Sequence, residues 1–454
     1  MFIHQNYPDL LEKDRKYVWH PFTQMKDYES RDLLFIDKAE GVYLYDVDGN
    51  CYYDTNSSWW VNIHGHCHPR INQAISRQVK EIDHVMFSGI THRTGILLAE
   101  KLVQISPEGL NKVFYSDNGS TAVEVAIKMS FQYWLQNGKQ KKQKFVYLEN
   151  SYHGDTIGAM SLGGIESYHA LFHPLRFASF SVPSPQFFME EDASSEIVKQ
   201  RINHCLHEVE QHFISCADEI AALIVEPLIQ MAGGVHIYPV DYLIGLRNLC
   251  TKYHIHFIAD EVAVGFGRTG QMFACDHARI TPDFMCVSKG ITAGVLPLAA
   301  TLCTDEIYDA FYDDFARRKT FTHGHSFTGN PIATAVALES LQIFEDEQVL
   351  YHVQKNAVHL QEQVKSFEDF SHVSNVRQLG FVAAFDVMKD KEKKLAFPSN
   401  ERIGFQIYET GLQEGLLLRP LGDTIYYVLP LCTTKKQIED IVHRTKRVLR
   451  KLGL

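Results

Sequence analysis

Lys289 closes the run Phe284-Met285-Cys286-Val287-Ser288 and stands just before Gly290. Twenty-nine residues upstream, Asp260 closes a second apolar run, Phe257-Ile258-Ala259. Two strand-like runs, one ending in an amine and the other in an acid, suit a cofactor held between them. Pyridoxal phosphate needs that pair: a lysine for a Schiff base and an acid to keep the pyridinium nitrogen protonated. A carboxylate at a buried strand end must be paired with a cation or neutralise itself. A buried lysine faces the same cost, which Schiff-base formation removes.

Other motifs carry chemistry of the same kind. Asn118-Gly119-Ser120-Thr121 stands where a strand-turn-helix unit opens its helix, and free backbone N–H groups at the positive end of a helix dipole suit a phosphate. Ser120 or Thr121 also reads as a plain N-cap; beside the Asp260 and Lys289 pair the phosphate reading is preferred. Tyr152, in Tyr152-His153-Gly154-Asp155, follows a strand end and offers a ring to stack on a flat heteroaromatic cofactor or to pack on the sheet rim. Arg419-Pro420 follows a small apolar run; its guanidinium suits a substrate carboxylate, or else a surface ion pair. His64-Gly65-His66-Cys67-His68 lacks the spacing of a zinc site and reads as loop histidines capping backbone, so no metal is expected. The glycine and hydroxyl of His323-Gly324-His325-Ser326 suit close approach to a phosphate. Gly265-Phe266-Gly267-Arg268-Thr269-Gly270 does not fit a dinucleotide fingerprint between strand and helix.

These residues need elements to position them. From about residue 112, short apolar runs (Val113–Tyr115, Phe145–Leu148, Ala222–Val225, His256–Ala259, Phe284–Val287) alternate with helical patterns. Such runs predict an α/β fold with a mostly parallel sheet covered on both faces. Val123, Ile127, Phe131 and Trp134 form one helical stripe, with Asn137-Gly138 as its stop. Residues 63–330 therefore read as one large domain. Residues 41–54 predict a hairpin turning at Asp48-Gly49. Phe381–Phe385 and Ile425–Leu429 read as strands, and about 434–452 as a final amphipathic helix. Residues 1–62 and 331–454 are expected to form one small α+β domain, with the site between the two domains.

At 454 residues, two domains are the expectation. A net charge of −11 argues against nucleic acid or an anionic membrane as partner. Lys139-Gln140-Lys141-Lys142-Gln143-Lys144 reads as a solvated turn. Nine scattered cysteines without a CxxC pair suit reduced thiols in a cytoplasmic protein, and the first six residues lack the pattern of a signal peptide. No apolar run is long enough to span a membrane. A nucleotide-dependent dehydrogenase would leave Lys289 unexplained, and a metal hydrolase would rest on the histidine cluster alone.

Taken with Trp19-His20-Pro21-Phe22, Ser57-Ser58-Trp59-Trp60, Ile63–His66, Tyr152–Thr156, Gly265–Gly270 and Arg419-Pro420, nearly the whole chain resembles the fold-type I, class III pyridoxal-phosphate aminotransferases. The tryptophan pair and the Trp-His-Pro segment are similar to the biotin-pathway branch of that family. The resemblance implies transamination of 8-amino-7-oxononanoate to 7,8-diaminononanoate, with another class III ω-amino-acid or diamine aminotransferase as the alternative. It implies that Lys289 carries the cofactor, Asp260 pairs with its ring nitrogen, Gly119 and Ser120 cradle the phosphate, and Tyr152 stacks on the ring. His325 and Ser326 would be cofactor-binding residues, and Ser326 would reach the phosphate from a partner subunit, making a homodimer with shared sites. Phe22, Trp59, Trp60, Tyr152, Gly324, Arg419 and Tyr426 would line the substrate pocket. Three positions depart from the family pattern. Phe22 replaces a tyrosine common in members that use S-adenosylmethionine as amino donor, His325-Ser326 replaces a proline-threonine pair, and Met231 replaces a glycine. The first two resemble the lysine-using branch, so the implied donor is S-adenosylmethionine or lysine.

Overall fold

The computed structural model describes residues 7–31, 33–185 and 195–454; the reading of the first six residues lies outside them. At its centre is a seven-stranded sheet. From one edge the strands run Leu110–Ser116, Ala299–Thr304, Phe284–Val287, His256–Asp260, Ile220–Val225, Lys144–Leu148 and Ser179–Val182. Ala299–Thr304 is antiparallel to both neighbours, and every other pairing is parallel. The expected mostly parallel sheet is therefore present. Ile220–Val225 is buried at every position, which is why its sequence is continuously apolar and does not alternate. The helix Gly119–Gln136 buries Val123, Ile127 and Trp134 against the sheet and stops at Asn137-Gly138, with Gly138 at φ 74°.

Both chain ends form smaller elements that interlock. Tyr43–Asp46 and Cys51–Tyr53 make the expected hairpin, and Gly49 takes φ 83° in its turn. A further strand, Ile36–Glu40, pairs outside it. It is largely exposed and lacks alternation, so its sequence does not announce it. Near the C-terminus, Val373–Leu379, Val382–Asp390 and Thr424–Val428 pair antiparallel. The helix Lys435–Lys451 follows, started by a Thr434/Gln437 capping box. The ends are tied by backbone bonds: Tyr53 N–H donates to Gly415 (2.9 Å), Leu417 N–H to Tyr53 (3.0 Å) and Val428 N–H to Thr55 (2.8 Å).

One expectation fails. Lys142 is not part of a solvated turn; it is 5% exposed. Its ammonium donates to the carbonyls of Ala217 (3.0 Å), Ile220 (2.8 Å) and His254 (2.7 Å), and lies 4.4 Å from the Trp134 ring centre. Three acceptors use all three ammonium donors, so the lysine replaces water for three carbonyls. Burial lowers its pKa to about 8. Local sequence shows only a basic run because the acceptors lie far along the chain.

Candidate active site

The functional side chains gather where the parallel strands end. Asp260 is in register with Cys286 on the neighbouring strand, so the separation of Asp260 and Lys289 in sequence becomes adjacency at one edge of the sheet. A cavity of about 630 Å³ opens there, lined among others by Gly119, Ser120, Tyr152, Asp260, Lys289 and Trp60. Carboxyl ends of parallel strands are where α/β sheets bind ligands. Six of the expected residues are thus brought together.

The helix Gly119–Gln136 begins at this cavity. Asn118 caps it: its side chain accepts the Thr121 N–H at 3.1 Å, and Thr121 Oγ1 accepts the Asn118 N–H at 3.0 Å. The cap is therefore Asn118, and the N–H groups of Gly119 and Ser120 have no intrahelical partner. Glycine is needed here. A Cβ on Gly119 would lie 2.5 Å from Val262 Cγ1, and one on Gly154 (φ 123°) would lie 2.0 Å from Ser120 Oγ.

Behind the cavity lies a buried acid–base cluster. Asp260 Oδ2 lies 2.7 Å from His153 Nδ1, and its Oδ1 accepts the Val262 N–H at 3.1 Å. Glu226 accepts the N–H groups of Tyr152 (3.0 Å) and Met231 (2.9 Å). Burial pushes the Glu226 carboxyl up to about 7, with the Asp260 charge acting in the same direction. Burial lowers the Lys289 pKa, opposed by the charges of Asp260 and Glu226 and assisted by that of Arg268. Lys289 is therefore closer to its neutral, nucleophilic form than a solvated lysine. It also takes φ 45°, a strained backbone of the kind found at functional sites. The Tyr152 hydroxyl donates to Asp155 at 2.7 Å.

A second wall adjoins the cavity. Trp60 lies 5.2 Å from Lys289 Nζ, and its indole N–H donates to the Tyr426 hydroxyl at 3.2 Å. The Arg419 guanidinium lies 4.4 Å from the Trp59 ring centre, and no carboxylate among the described residues pairs with it. Phe22 meets Trp59 edge-on at 5.7 Å and Tyr168 at 5.5 Å. Ser57, Ser58, Trp59 and Trp60 all have positive φ, between 47° and 73°. They form one left-handed turn, closed by Trp60 N–H to Asn56 and Val61 N–H to Ser57. Left-handed backbone costs about 1–2 kcal/mol per non-glycine residue, so surrounding bonds must hold this turn.

Gly324 and Ser326 are exposed and do not line this cavity; His325 lies 3.5 Å from Asp117 at its rim. His64 Nε2 lies 3.1 Å from the Ser340 carbonyl, matching a backbone-capping role. His66 and His68 instead face Asp54 (2.8 Å) and Glu347 (3.3 Å). Sequence reasoning missed His153, Glu226, Tyr168 and Arg268. Glu226 carried the same signal as Asp260, an acid closing the run Ala222–Val225. His153 sits beside Tyr152 in the same motif. Arg268 sits inside the Gly265–Gly270 motif, and Tyr168 gave no local signal.

The class III aminotransferase family model matches residues 25–449. The chain belongs to the class III aminotransferases. It is 46% identical to the adenosylmethionine-8-amino-7-oxononanoate aminotransferase of Anoxybacillus flavithermus, over 97% of this chain and 96% of that one. The enzyme of the same name from Aquifex aeolicus is 44% identical, over 98% of each. The crystal structure of the enzyme of that name from Methanocaldococcus jannaschii superposes with a TM-score of 0.92 at 40% identity, covering 98% of this chain and 99% of that one. An omega transaminase from Pseudomonas jessenii, solved in complex with PMP, gives a TM-score of 0.92 at 31% identity, over 97% of each chain. The aminotransferase fold is therefore fold-type I, and its cofactor is pyridoxal phosphate. The cavity fits that group: an amine of lowered pKa, a buried carboxylate, and a helix start kept clear of side chains by Gly119 and Gly154.

Proposed function

We propose that this aminotransferase converts 8-amino-7-oxononanoate to 7,8-diaminononanoate in biotin biosynthesis, taking the amino group from S-adenosylmethionine or lysine. The observation that carries the reading is the wall formed by Trp59, Trp60, Phe22 and Tyr168 with Arg419 at its edge, beside Lys289. An apolar surface ending in a guanidinium with no carboxylate partner among the described residues suits a nonanoate chain ending in a carboxylate. Relatives more than 40% identical over nearly their full length carry the name of this activity.

In this reading Lys289 would hold the cofactor through Nζ and Asp260 would hold the proton on its ring nitrogen. The N–H groups of Gly119 and Ser120 would receive the phosphate and Tyr152 would cover the ring face. Pyridoxal phosphate supplies an electrophilic carbon and an electron sink. Lys289 Nζ then serves both halves of the exchange: it takes a proton from the amine-bearing carbon of the donor and later returns one to carbon 7 of the acceptor. His153 fixes the Asp260 carboxylate from behind. Trp60 shields Lys289 from water on one side. Arg419 and Tyr426 orient the acceptor's carboxylate end.

We also read residues 63–330 as a large domain, and residues 1–62 with 331–454 as a small one. A homodimer with shared sites accounts for the exposure of Ser326, which would serve the partner's phosphate site, while His325 stays at the rim of its own chain's cavity beside Asp117. Exposed Met86, Ile90, Val295 and Phe327 supply apolar surface for that contact, and Val295 also lines the cavity. Nine cysteines without a disulfide fit a reducing cytoplasm.

The test is a donor screen with 8-amino-7-oxononanoate as acceptor, scored by formation of the diamine. Product with S-adenosylmethionine or lysine is expected. No diamine with any donor, alongside turnover of ω-amino acids or diamines with a simple keto acid, would move the enzyme to another class III activity. Phe22 presents a bare ring edge to Trp59 and Tyr168, without a hydroxyl for a donor amine. Product with S-adenosylmethionine and none with lysine would exclude the lysine donor.

A further inference from the structure

Three tyrosines border the substrate wall, and their hydroxyls are used differently. That of Tyr152 donates to Asp155 at 2.7 Å, and that of Tyr426 accepts the Trp60 indole N–H at 3.2 Å. The Tyr168 hydroxyl makes no hydrogen bond among the described residues. The Tyr168 ring meets Phe22 edge-on at 5.5 Å and stands nearly perpendicular to Tyr152 at 6.3 Å. Arg419, Asp155, Tyr152 and Tyr426 all lie within electrostatic reach of it. Burial raises the phenol above its ordinary range, while the Arg419 charge lowers it and Asp155 raises it. Tyr168 is therefore a neutral phenol, able to donate and to accept.

The next residue along the chain holds Tyr168 in place. Both lie on the short helix Glu166–His169, and His169 is only 2% exposed. Its ring lies almost parallel to that of Tyr152, 6.2 Å between centres, and its Nε2 faces Asp155 Oδ1 at 3.8 Å. Gly163 makes room for that ring: a Cβ there would lie 2.4 Å from His169 Cε1. With His169 anchored, Tyr168 is left against Phe22. Asp155 lines the cavity with a half-exposed carboxyl. Burial raises that group, but His169 and the Tyr152 hydroxyl outweigh the effect and hold it below its usual range. It is an anion at neutral pH.

A hydroxyl between a guanidinium and a carboxylate, in a wall otherwise apolar, suits a substrate group that carries N–H donors. The two amino donors differ in that respect. Lysine has two amines; when one is exchanged, the other remains as an ammonium with N–H groups. S-adenosylmethionine has one aliphatic amine to exchange, and the cation left on it is a sulfonium without any. The Asp155 carboxylate and the aromatic rings attract either cation. The hydroxyl separates them.

We propose that Tyr168 is a donor-selecting residue: its hydroxyl accepts a hydrogen bond from the amine that lysine does not exchange, and so favours lysine over S-adenosylmethionine. The inference rests on the proposed use of these donors at this wall. It gives Tyr168 a polar task that the bare ring of Phe22, packed against it, cannot perform.

The test uses the first half of the exchange, with no acceptor present. Cofactor-loaded wild type and Tyr168→Phe are mixed with lysine or with S-adenosylmethionine, and the loss of cofactor absorbance gives a second-order rate constant for each donor. The substitution removes one oxygen and keeps the ring against Phe22. The constant for lysine is expected to fall about 10- to 100-fold and that for S-adenosylmethionine to change less than about three-fold. A ring with a merely structural role would shift both constants alike. Equal falls with both donors, or no change with lysine, overturn the donor-selecting role. Wild type that reacts with S-adenosylmethionine and not with lysine also overturns it, and leaves the proposed acceptor untouched. Wild type that reacts with neither, while other ω-amino acids or diamines bleach the cofactor, overturns the proposed donors and the inference with them. Failure of 8-amino-7-oxononanoate as acceptor would leave these constants as they are, because no acceptor takes part.

Discussion

In the proposed reaction Lys289 and Arg419 would divide the chemistry between them, and their substitutions are expected to fail differently. Lys289→Ala removes the group proposed to move protons but leaves a pocket lined by the same neighbours. Folding, followed by circular dichroism, is expected to match wild type while turnover falls by at least about a thousand-fold. Normal turnover in that variant would end the assignment. Arg419→Ala removes a guanidinium that rests on Trp59 and has no carboxylate partner among the described residues. A charge-assisted contact is worth about 1.5–3 kcal/mol, so kcat/KM for 8-amino-7-oxononanoate should drop about 10- to 100-fold. Cofactor retention, measured by absorbance after gel filtration, should not change. Loss of cofactor from Arg419→Ala would place that residue in the wrong part of the site.

The elements contribute through spacing and burial. Gly119 opens the helix beneath the cavity, and Val262 fills the space where a Cβ would go. Gly119→Ala is therefore expected to weaken cofactor retention, and Val262→Ala in the same chain to restore it; no restoration would mean that backbone freedom, not space, is what Gly119 provides. At the other end of a central strand, His256 bonds Ser130 at 2.8 Å and stacks on Trp134 at 4.4 Å. Burial lowers its pKa to about 3, helped by the charges of Lys142 and Arg247. A histidine neutral in the fold but protonated in the unfolded chain favours unfolding as pH falls below its ordinary value of 6.5. Glu226 and Glu261, both raised to about 7 by burial, act in the opposite sense between their ordinary and folded values. His256→Gln isolates the histidine: the acid limb of the unfolding free energy, between about pH 6 and 4, should become shallower by about 1.4 kcal/mol per pH unit. An unchanged slope in urea titrations would show that His256 is not buried neutral. The contrast between these residues explains what could be read from the sequence. Asp260, Lys289 and the helix from Gly119 were legible because strand and helix periodicities are local and the acid and amine close apolar runs. Lys142, His153 and Arg268 were not, because their meaning lies in acceptors more than a hundred residues away or on another element. The left-handed turn was illegible for a different reason: its sequence has no glycine, and only distant bonds impose its conformation.

For the whole molecule the decisive question is how many chains make one site. If Ser326 serves the partner's pocket, Lys289→Ala and Ser326→Asp chains are each expected to be inactive alone. Co-expressed, they form mixed dimers with one site that has both Lys289 and Ser326 intact. Activity should return to about a quarter of wild type from random pairing. No recovery, with mixed dimers shown by mass spectrometry, would place Ser326 within its own chain's site or outside any site.

The clasp between Tyr53–Thr55 and Gly415–Val428 also bears on the order in which this enzyme comes into being. Chains emerge from the ribosome N-terminus first and fold in units as they appear. Once Ala299–Thr304 has cleared the exit tunnel, every strand of the central sheet is present, and with it Gly119, Asp260 and Lys289. The Trp59–Trp60 turn must wait for Val428 and Leu429, translated near the very end, before Ser57 and Arg268 have their acceptors. A nascent chain stalled between these points would hold Gly119, Asp260 and Lys289 but lack the carbonyls that fix the Trp59–Trp60 turn.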